Sequence, residues 1–225
     1  MIMIDFSDLV AALSQQPLMT LVPTWFYLFS GVAYLAAGLI SLIVGYFAFR
    51  FYRLTSSRAQ AVLSLSFMLI GLGFVILSAT SFVTYASAGP TSVTDASILN
   101  LNSSSYNYFY ILSLFAYVLL FFISLPERKG SEFYALAPLF FIQSPQFNLF
   151  AIVLLVFIAA RNVFNFFKTK TQESFLVMFA FLMIFLFHVF LFLMPFGVEL
   201  YLVAHIFLIA GFLSLLAMLV RVTKK

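Results

Sequence analysis

The sequence contains no cysteine. That excludes disulfide scaffolds, thiolate metal sites, iron–sulfur clusters and cysteine nucleophiles in one step. Charge is almost as scarce. Asp, Glu, Lys and Arg make up 8% of the 225 residues, against roughly 25% in an ordinary soluble domain. A soluble protein of this size could not cover its surface with so few charges. No lysine lies inside any long apolar run, which excludes a retinal Schiff base, and no Asp/Glu pair lies there for ion coupling. HExxH, Walker and GxSxG patterns are missing as well. The chain is therefore not expected to be an enzyme.

What the sequence has in abundance is apolar residues, at 64%, with 32 phenylalanines. The long runs predict an all-α, polytopic membrane helical bundle, multi-pass in the cell (plasma) membrane and forming a single domain over 18–225. Spans are predicted at 24–50, 58–85, 107–125, 131–144, 147–167, 174–194 and 199–221, seven in all. Most approach the 20 residues that a ~30 Å hydrocarbon core requires at ~1.5 Å per residue. The ~10-residue alternating segments of a membrane β-barrel are not seen. Residues 1–17 are not a signal peptide, because the start carries Asp5 and Asp8 and no basic residue. Ile2, Phe6, Leu9 and Leu13 fall at helical spacing, which predicts an amphipathic interfacial segment ended by Pro17. The polar stretch 84–106 reads as a mobile outer loop, and Asn102 begins a sequon, a candidate glycosylation site.

The segment 131–144 is short for a crossing and carries Pro138. Charge placement argues that it crosses. With seven spans and the N-terminus outside, all 11 Lys and Arg fall on the cytoplasmic side, as does the C-terminus. Asp5, Asp8, Asp95 and Glu199 then lie outside, and Glu127, Glu132 and Glu173 inside. The net charge of +4 thus reflects topology, and nucleic acid is not an expected partner. The order of elements suggests 3+1+3, with spans 1–3 and 5–7 running in the same sense. Residues 53–76 align without gaps on 167–190, with Thr55/Thr169, Phe67/Phe181, Ile70/Ile184, Leu72/Leu186 and Val75/Val189 coinciding. Such matches are common in apolar sequence, and chance weighs against duplication.

Small residues form stripes: Ala33, Ala37, Ser41 and Gly45 on the first span, and Gly71 and Gly73 on the second. Such stripes let helices approach closely in lipid. Packing within the bundle is the first reading, and self-association the second. His188 and His205 are the two histidines, and both fall inside predicted spans. Their spacing from the PFGVEL turn predicts matching depth on antiparallel helices, close enough to meet if their faces agree. Tyr201, one turn before His205, is a candidate hydrogen-bond partner, and Glu199 lies near the helix start. Polar groups at such depth are costly, so the four residues form a candidate ligand, proton or metal site. An interhelical hydrogen bond is the plainer reading. No cofactor is predicted. Heme or copper ligation by His188 and His205 is a weaker alternative, with Met183 and Met194 nearby.

Two stretches, 31–76 (GVAYLAAGLISLIVGYFAFR and onward) and 201–225 (YLVAHIFLIAGFLSLLAMLVRVTKK), carry a resemblance. The chain resembles small archaeal-type prokaryotic seven-helix membrane proteins, and its layout is similar to that of seven-helix sensor modules attached to histidine kinases. The resemblance implies a sensor or accessory subunit of a membrane complex. Because the sequence ends four residues after Arg221, any output is expected through another membrane protein. The expected partners are the lipid bilayer, that protein, or a second copy. A small-solute transporter of 3+1+3 topology is the alternative from a different class.

Overall fold

The computed structural model describes residues 24–87, 96–124, 144–197 and 199–223. Its elements are α1 (Thr24–Thr55), α2 (Arg58–Ser87), α3 (Ala96–Ser124), α4 (Ser144–Thr169), α5 (Gln172–Leu193), a 3₁₀ turn (Met194–Phe196) and α6 (Glu199–Thr223). All six α-helices are long and apolar enough to cross a membrane. The expected segment 1–17 and residues 131–143 of the expected fourth span lie outside the described residues. The other expected spans are found, most of them within a turn at each end.

One boundary is moved substantially. Residues 96–106, expected to belong to an outer loop, form the first turns of α3. One face of the segment is buried and the other exposed. Asn102, Ser105 and Phe109 lie inward at helical spacing, while Leu101, Tyr108 and Ile111 are exposed beside Asn100, Ser104 and Asn107. Large apolar side chains can thus face outward, as lipid allows and water does not. Asn102 is 2% exposed within this helix, so the sequon does not offer the surface loop that glycan attachment needs.

Large apolar side chains cover the outward surface elsewhere too. Tyr46, Phe157, Phe164, Phe167 and Ile206 are all more than half exposed. In water such a surface would aggregate; in a bilayer it is the solvent-facing side.

Neighbour contacts fix the helix senses. Gly31, Gly38 and Gly45 of α1 sit beside Phe82, Val75 and Met68 of α2, so the two are antiparallel. Gly73 of α2 abuts Phe109 of α3, and Gly211 of α6 abuts Ala180 and Ile184 of α5. α3 and α4 run in the same sense: Phe109 and Tyr110 touch Phe147, Phe121 touches Phe157, and Arg161 Nη1 donates to the Ile123 carbonyl at 3.4 Å. α1 and α6 are also parallel, with Phe26 beside Tyr201 and Tyr34 beside His205. The bundle is thus two three-helix units, α1–α3 and α4–α6, joined at two parallel seams. α1, α3, α4 and α6 start at one end, called here the near end. The described Lys and Arg residues lie toward the far end, where α2 and α5 start.

The units share a local structure displaced by 114 residues. α1 ends at Thr55 and α4 at Thr169; α2 starts at Arg58 and α5 at Gln172. Ser56 and Lys170 both adopt left-handed backbone, with φ of 52° and 51°. Each returns its N–H to the carbonyl four residues back, Tyr52 or Phe166, at 2.7 Å. Thr55 and Thr169 hydroxyls each donate to the carbonyl of their fourth preceding residue at 2.9 Å. This is the offset of the sequence alignment, and the matched turns give it the geometric support that the apolar matches lacked. After the second turn, Thr171 caps α5 by accepting the Ser174 N–H, and Glu173 in that first turn pairs with Arg221 at 3.4 Å.

The tightest seam is α1–α2. A Cβ on Gly71 would lie 2.8 Å from Leu42 Cγ and 3.1 Å from the Gly38 carbonyl, and one on Gly38 would lie 3.2 Å from the Gly71 carbonyl. Backbone meets backbone here, so neither side can yield. Ser41, Ser64 and Ser78 donate across the seam to the carbonyls of Phe67, Gly45 and Gly31 at 3.0, 2.8 and 2.8 Å. Ala33 and Ala37 are each 1% exposed, so the small-residue stripe of α1 is spent inside the bundle. Gly73 serves the other neighbour, α3, rather than α1.

Two outcomes follow. Gly71→Val should destabilise the detergent-solubilised protein by about 1–3 kcal/mol, read as a fall in thermal midpoint, while Leu39→Val on the outward face should change it little. Ser56→Gly and Lys170→Gly should each raise the midpoint, because left-handed backbone costs a residue with a Cβ about 1 kcal/mol. A fall in both would remove the strain argument.

Candidate functional site

The two buried histidines each stand at the centre of a polar cluster. His188 on α5 is fully buried. Its Nδ1 lies 3.1 Å from Asn148 Oδ1 of α4, and its Nε2 lies 2.8 Å from the Tyr117 hydroxyl of α3. Asn148 Oδ1 can only accept, so Nδ1 carries the proton; Nε2 then accepts from Tyr117. The imidazole is neutral with both nitrogens satisfied. Tyr117 also meets the ring edge-on at a centroid distance of 5.4 Å, and Phe147 and Phe187 close its sides. One side chain thereby ties α3, α4 and α5 together.

His205 on α6 is also fully buried. Its Nδ1 donates to the Tyr201 backbone carbonyl at 2.7 Å, one turn earlier. That bond fixes the tautomer and leaves Nε2 with a bare lone pair, which has no hydrogen-bond partner. Four rings surround the imidazole: Tyr201 at 4.3 Å, Tyr34 at 4.9 Å, Phe29 at 5.9 Å and Phe187 at 6.1 Å. Next to it, three phenol oxygens converge. Tyr201 and Tyr34 lie 3.4 Å apart, Tyr34 and Tyr106 3.4 Å, and Tyr106 and Tyr201 3.5 Å. Ser30 Oγ donates to the Phe26 carbonyl at 2.7 Å, which leaves it to accept from Tyr201 at 2.9 Å. The cluster draws on α1, α3 and α6, and so spans both three-helix units.

The expected site is therefore only partly assembled. The two histidines do lie level on antiparallel helices, but each has its own partners, and Phe187 packs against both rings. His188 faces α3 and α4, and His205 faces α1. Tyr201 does meet His205, through its ring face and carbonyl rather than its hydroxyl. Glu199 is exposed at the start of α6 and is not drawn in. Met183 packs on Gly211. Among the described residues, no group of three or more His, Cys, Asp or Glu could hold a metal ion. The sequence reading missed Tyr117, Asn148, Ser30, Tyr34 and Tyr106. Asn148 had the clearest signal, as an amide in the first turns of an apolar run.

The repeat explains the difference between the clusters. At the 114-residue offset, His188 stands where Phe74 stands in the first unit. Phe74 meets Phe212 of α6 edge-on at 5.6 Å and 88°, and His188 meets Tyr117 of α3 at 5.4 Å and 89°. The two contacts match in geometry, one apolar and one hydrogen-bonded. They pair α3 with α6 at an offset of 95 residues rather than 114, from Tyr117 to Phe212, and this offset also relates Tyr106 to Tyr201 and Tyr110 to His205.

No protein family, curated protein or solved structure matches the chain.

A double-mutant cycle on Tyr117→Phe and His188→Phe should give a coupling of about 1 kcal/mol, within the range of interhelical hydrogen bonds in membranes. Tyr117→Phe alone should cost about 1–3 kcal/mol, because it strands the Nε2 acceptor in an apolar site. Reversible unfolding in mixed micelles measures both. Additive effects would mean that the pair is not coupled.

Proposed function

We propose that the protein is an integral membrane sensor or accessory subunit of a membrane complex, in which the two three-helix units move relative to one another at the tyrosine cluster. The observation that carries this reading is that Tyr201 of the second unit bonds with Ser30, Tyr34 and Tyr106 of the first. Such a junction is adaptable: hydroxyls are both donors and acceptors, and three O···O separations of 3.4–3.5 Å are long for a tightly made network. A small change in the cluster alters how the units meet. The contact with a separate output protein, or with a second copy, is part of the same proposal.

The reading includes a seventh crossing. Because α3 and α4 are parallel, the chain leaves Ser124 at the far end and resumes at Ser144 near the other. The gap matches some 18 residues of helix, ~27 Å, close to the ~30 Å of a hydrocarbon core. We place the far end, where the described basic residues gather, in the cytoplasm of a cell-membrane protein. The small-solute transporter remains the competing reading, and the parallel-unit layout suits it equally. What favours the sensor is a tightly packed centre, with Phe74, Phe109, Phe187 and Phe212 all at most 1% exposed. The redox reading loses its support with the separation of the two histidines.

The absence of native cysteine makes accessibility a clean test. In sealed vesicles, Ser113→Cys at mid-bundle should resist a membrane-impermeant maleimide from either side. Gly130→Cys and Gln143→Cys should react from opposite sides. Labelling of Ser113→Cys from both sides would favour the transporter, and labelling of positions 130 and 143 from one side would remove the seventh crossing.

A further inference from the structure

The near-end cluster has a donor and an acceptor that the protein itself does not use. His205 Nε2, fully buried, has a bare lone pair, and Asn102 Nδ2, on a side chain 2% exposed, has no partner for its protons. Their placement is ordered. Asn102 is one turn before Tyr106 on the same face of α3. His205 is one turn after Tyr201 on the same face of α6, and α3 and α6 run in the same sense. The tyrosine hydroxyls meet each other between these two levels. Going inward from the near end, the bundle presents an unpaired amide donor, a set of hydroxyls that can donate or accept, and an unpaired imidazole acceptor. Nε2 lies on the far side of its ring from the Tyr201 carbonyl that holds Nδ1.

We propose that this column is a binding site for a small uncharged molecule that both donates and accepts hydrogen bonds, of the alcohol, polyol or primary-amide class. The proposal rests on the sensor reading above and names its ligand chemistry. A buried orphan donor and a buried orphan acceptor each carry a desolvation penalty, and a ligand that both donates and accepts relieves them directly or through the tyrosine hydroxyls between them. An ion is disfavoured, because no charged side chain is buried among the described residues and an unpaired ion in such a site is costly. A metal would find one imidazole and neutral phenols. The rings of Phe29, Tyr34, Phe187 and Tyr201 around His205 restrict the ligand to a few heavy atoms on that side.

The test uses the full chain in lipid nanodiscs with ¹⁵N-labelled histidine. There are only two histidines, and His205→Phe assigns the signals. Acetamide, ethylene glycol and glycerol are titrated, with acetate and tetramethylammonium as charged counterparts. The expected result is a saturable shift of the His205 Nε2 resonance toward its hydrogen-bonded position with at least one neutral probe. His188, whose nitrogens are already paired, stays fixed and reports that the fold is intact. Asn102→Leu should weaken binding about tenfold, the value of one buried hydrogen bond. An Nε2 resonance unmoved by every neutral probe, or moved only by the charged ones, overturns the site. Spin labels at Leu54→Cys and Val222→Cys, both exposed at the far ends of α1 and α6, are read in the same titration. An Nε2 shift without a distance change keeps the site and removes the sensor reading; a distance change without the shift removes the site.

Discussion

Hydrocarbon offers no hydrogen bonds, so a polar atom inside this bundle must be matched by the protein or left at a cost. That constraint orders most of the structure. Serines at the α1–α2 seam donate to carbonyls on the facing helix, and they can reach because glycines let the backbones close. Ser214 does the same from α6 to the Leu176 carbonyl of α5 at 2.8 Å. Thr80 and Ser105, facing inward without a cross-helix acceptor, turn back to their own helix. His188 satisfies both nitrogens across three helices. Against this background of matched groups, the unmatched ones among the described residues stand out: Thr84 Oγ1, Asn102 Nδ2 and His205 Nε2 toward the near end, and Ser113 Oγ at mid-bundle.

Where matched positions of the two units hold different residues, the interior is asymmetric without a change of backbone. Phe74 and His188 each approach a ring of the other unit edge-on at nearly the same separation. The first contact contributes burial and a ring–ring term of about 0.5–1.5 kcal/mol. The second adds a directional bond that depends on Asn148 for its tautomer. The second unit thus has a polar anchor to α3 where the first has an apolar one to α6. Likewise Tyr110 stacks on Phe147 at 4.3 Å, whereas its counterpart His205 keeps an unshared lone pair.

The sequence made the helices legible because each apolar run is long and its ends carry charges or turn residues. The segments that hold the turns at Ser56 and Lys170 were aligned in the sequence, but only geometry could raise that alignment above chance. Residues 96–106 were misread because mean polarity was taken as exposure to water. The spacing of Asn102, Ser105 and Phe109 on one helix face was the better guide. The depth of His188 and His205 followed from counting residues away from the turn. Their facing did not, because rotation about a helix axis is set by neighbours. Phe187, adjacent in sequence to His188, takes the position against His205 that a second imidazole would need.

In the proposed sensor, the parallel seams make the near end the place where the units would respond. Within each unit, successive helices are antiparallel and joined by short turns such as 56–57 and 170–171, so their relative positions are tied covalently. The α3–α4 and α1–α6 seams join parallel helices, which a short turn cannot link. The α3–α4 seam is clamped by the Tyr117–His188–Asn148 bonds, which leave no polar atom on the imidazole to respond. The α1–α6 seam is held by phenols, one serine and the face of an imidazole, groups that can change partners without ionising or moving far. If the units rock, the clamped seam is the hinge and the α1–α6 seam is the edge that opens. The residues bearing on that edge, Tyr34, Tyr201 and His205, lie on the helices whose far ends carry Arg50, Arg53 and Arg221, where a motion would be presented to a partner.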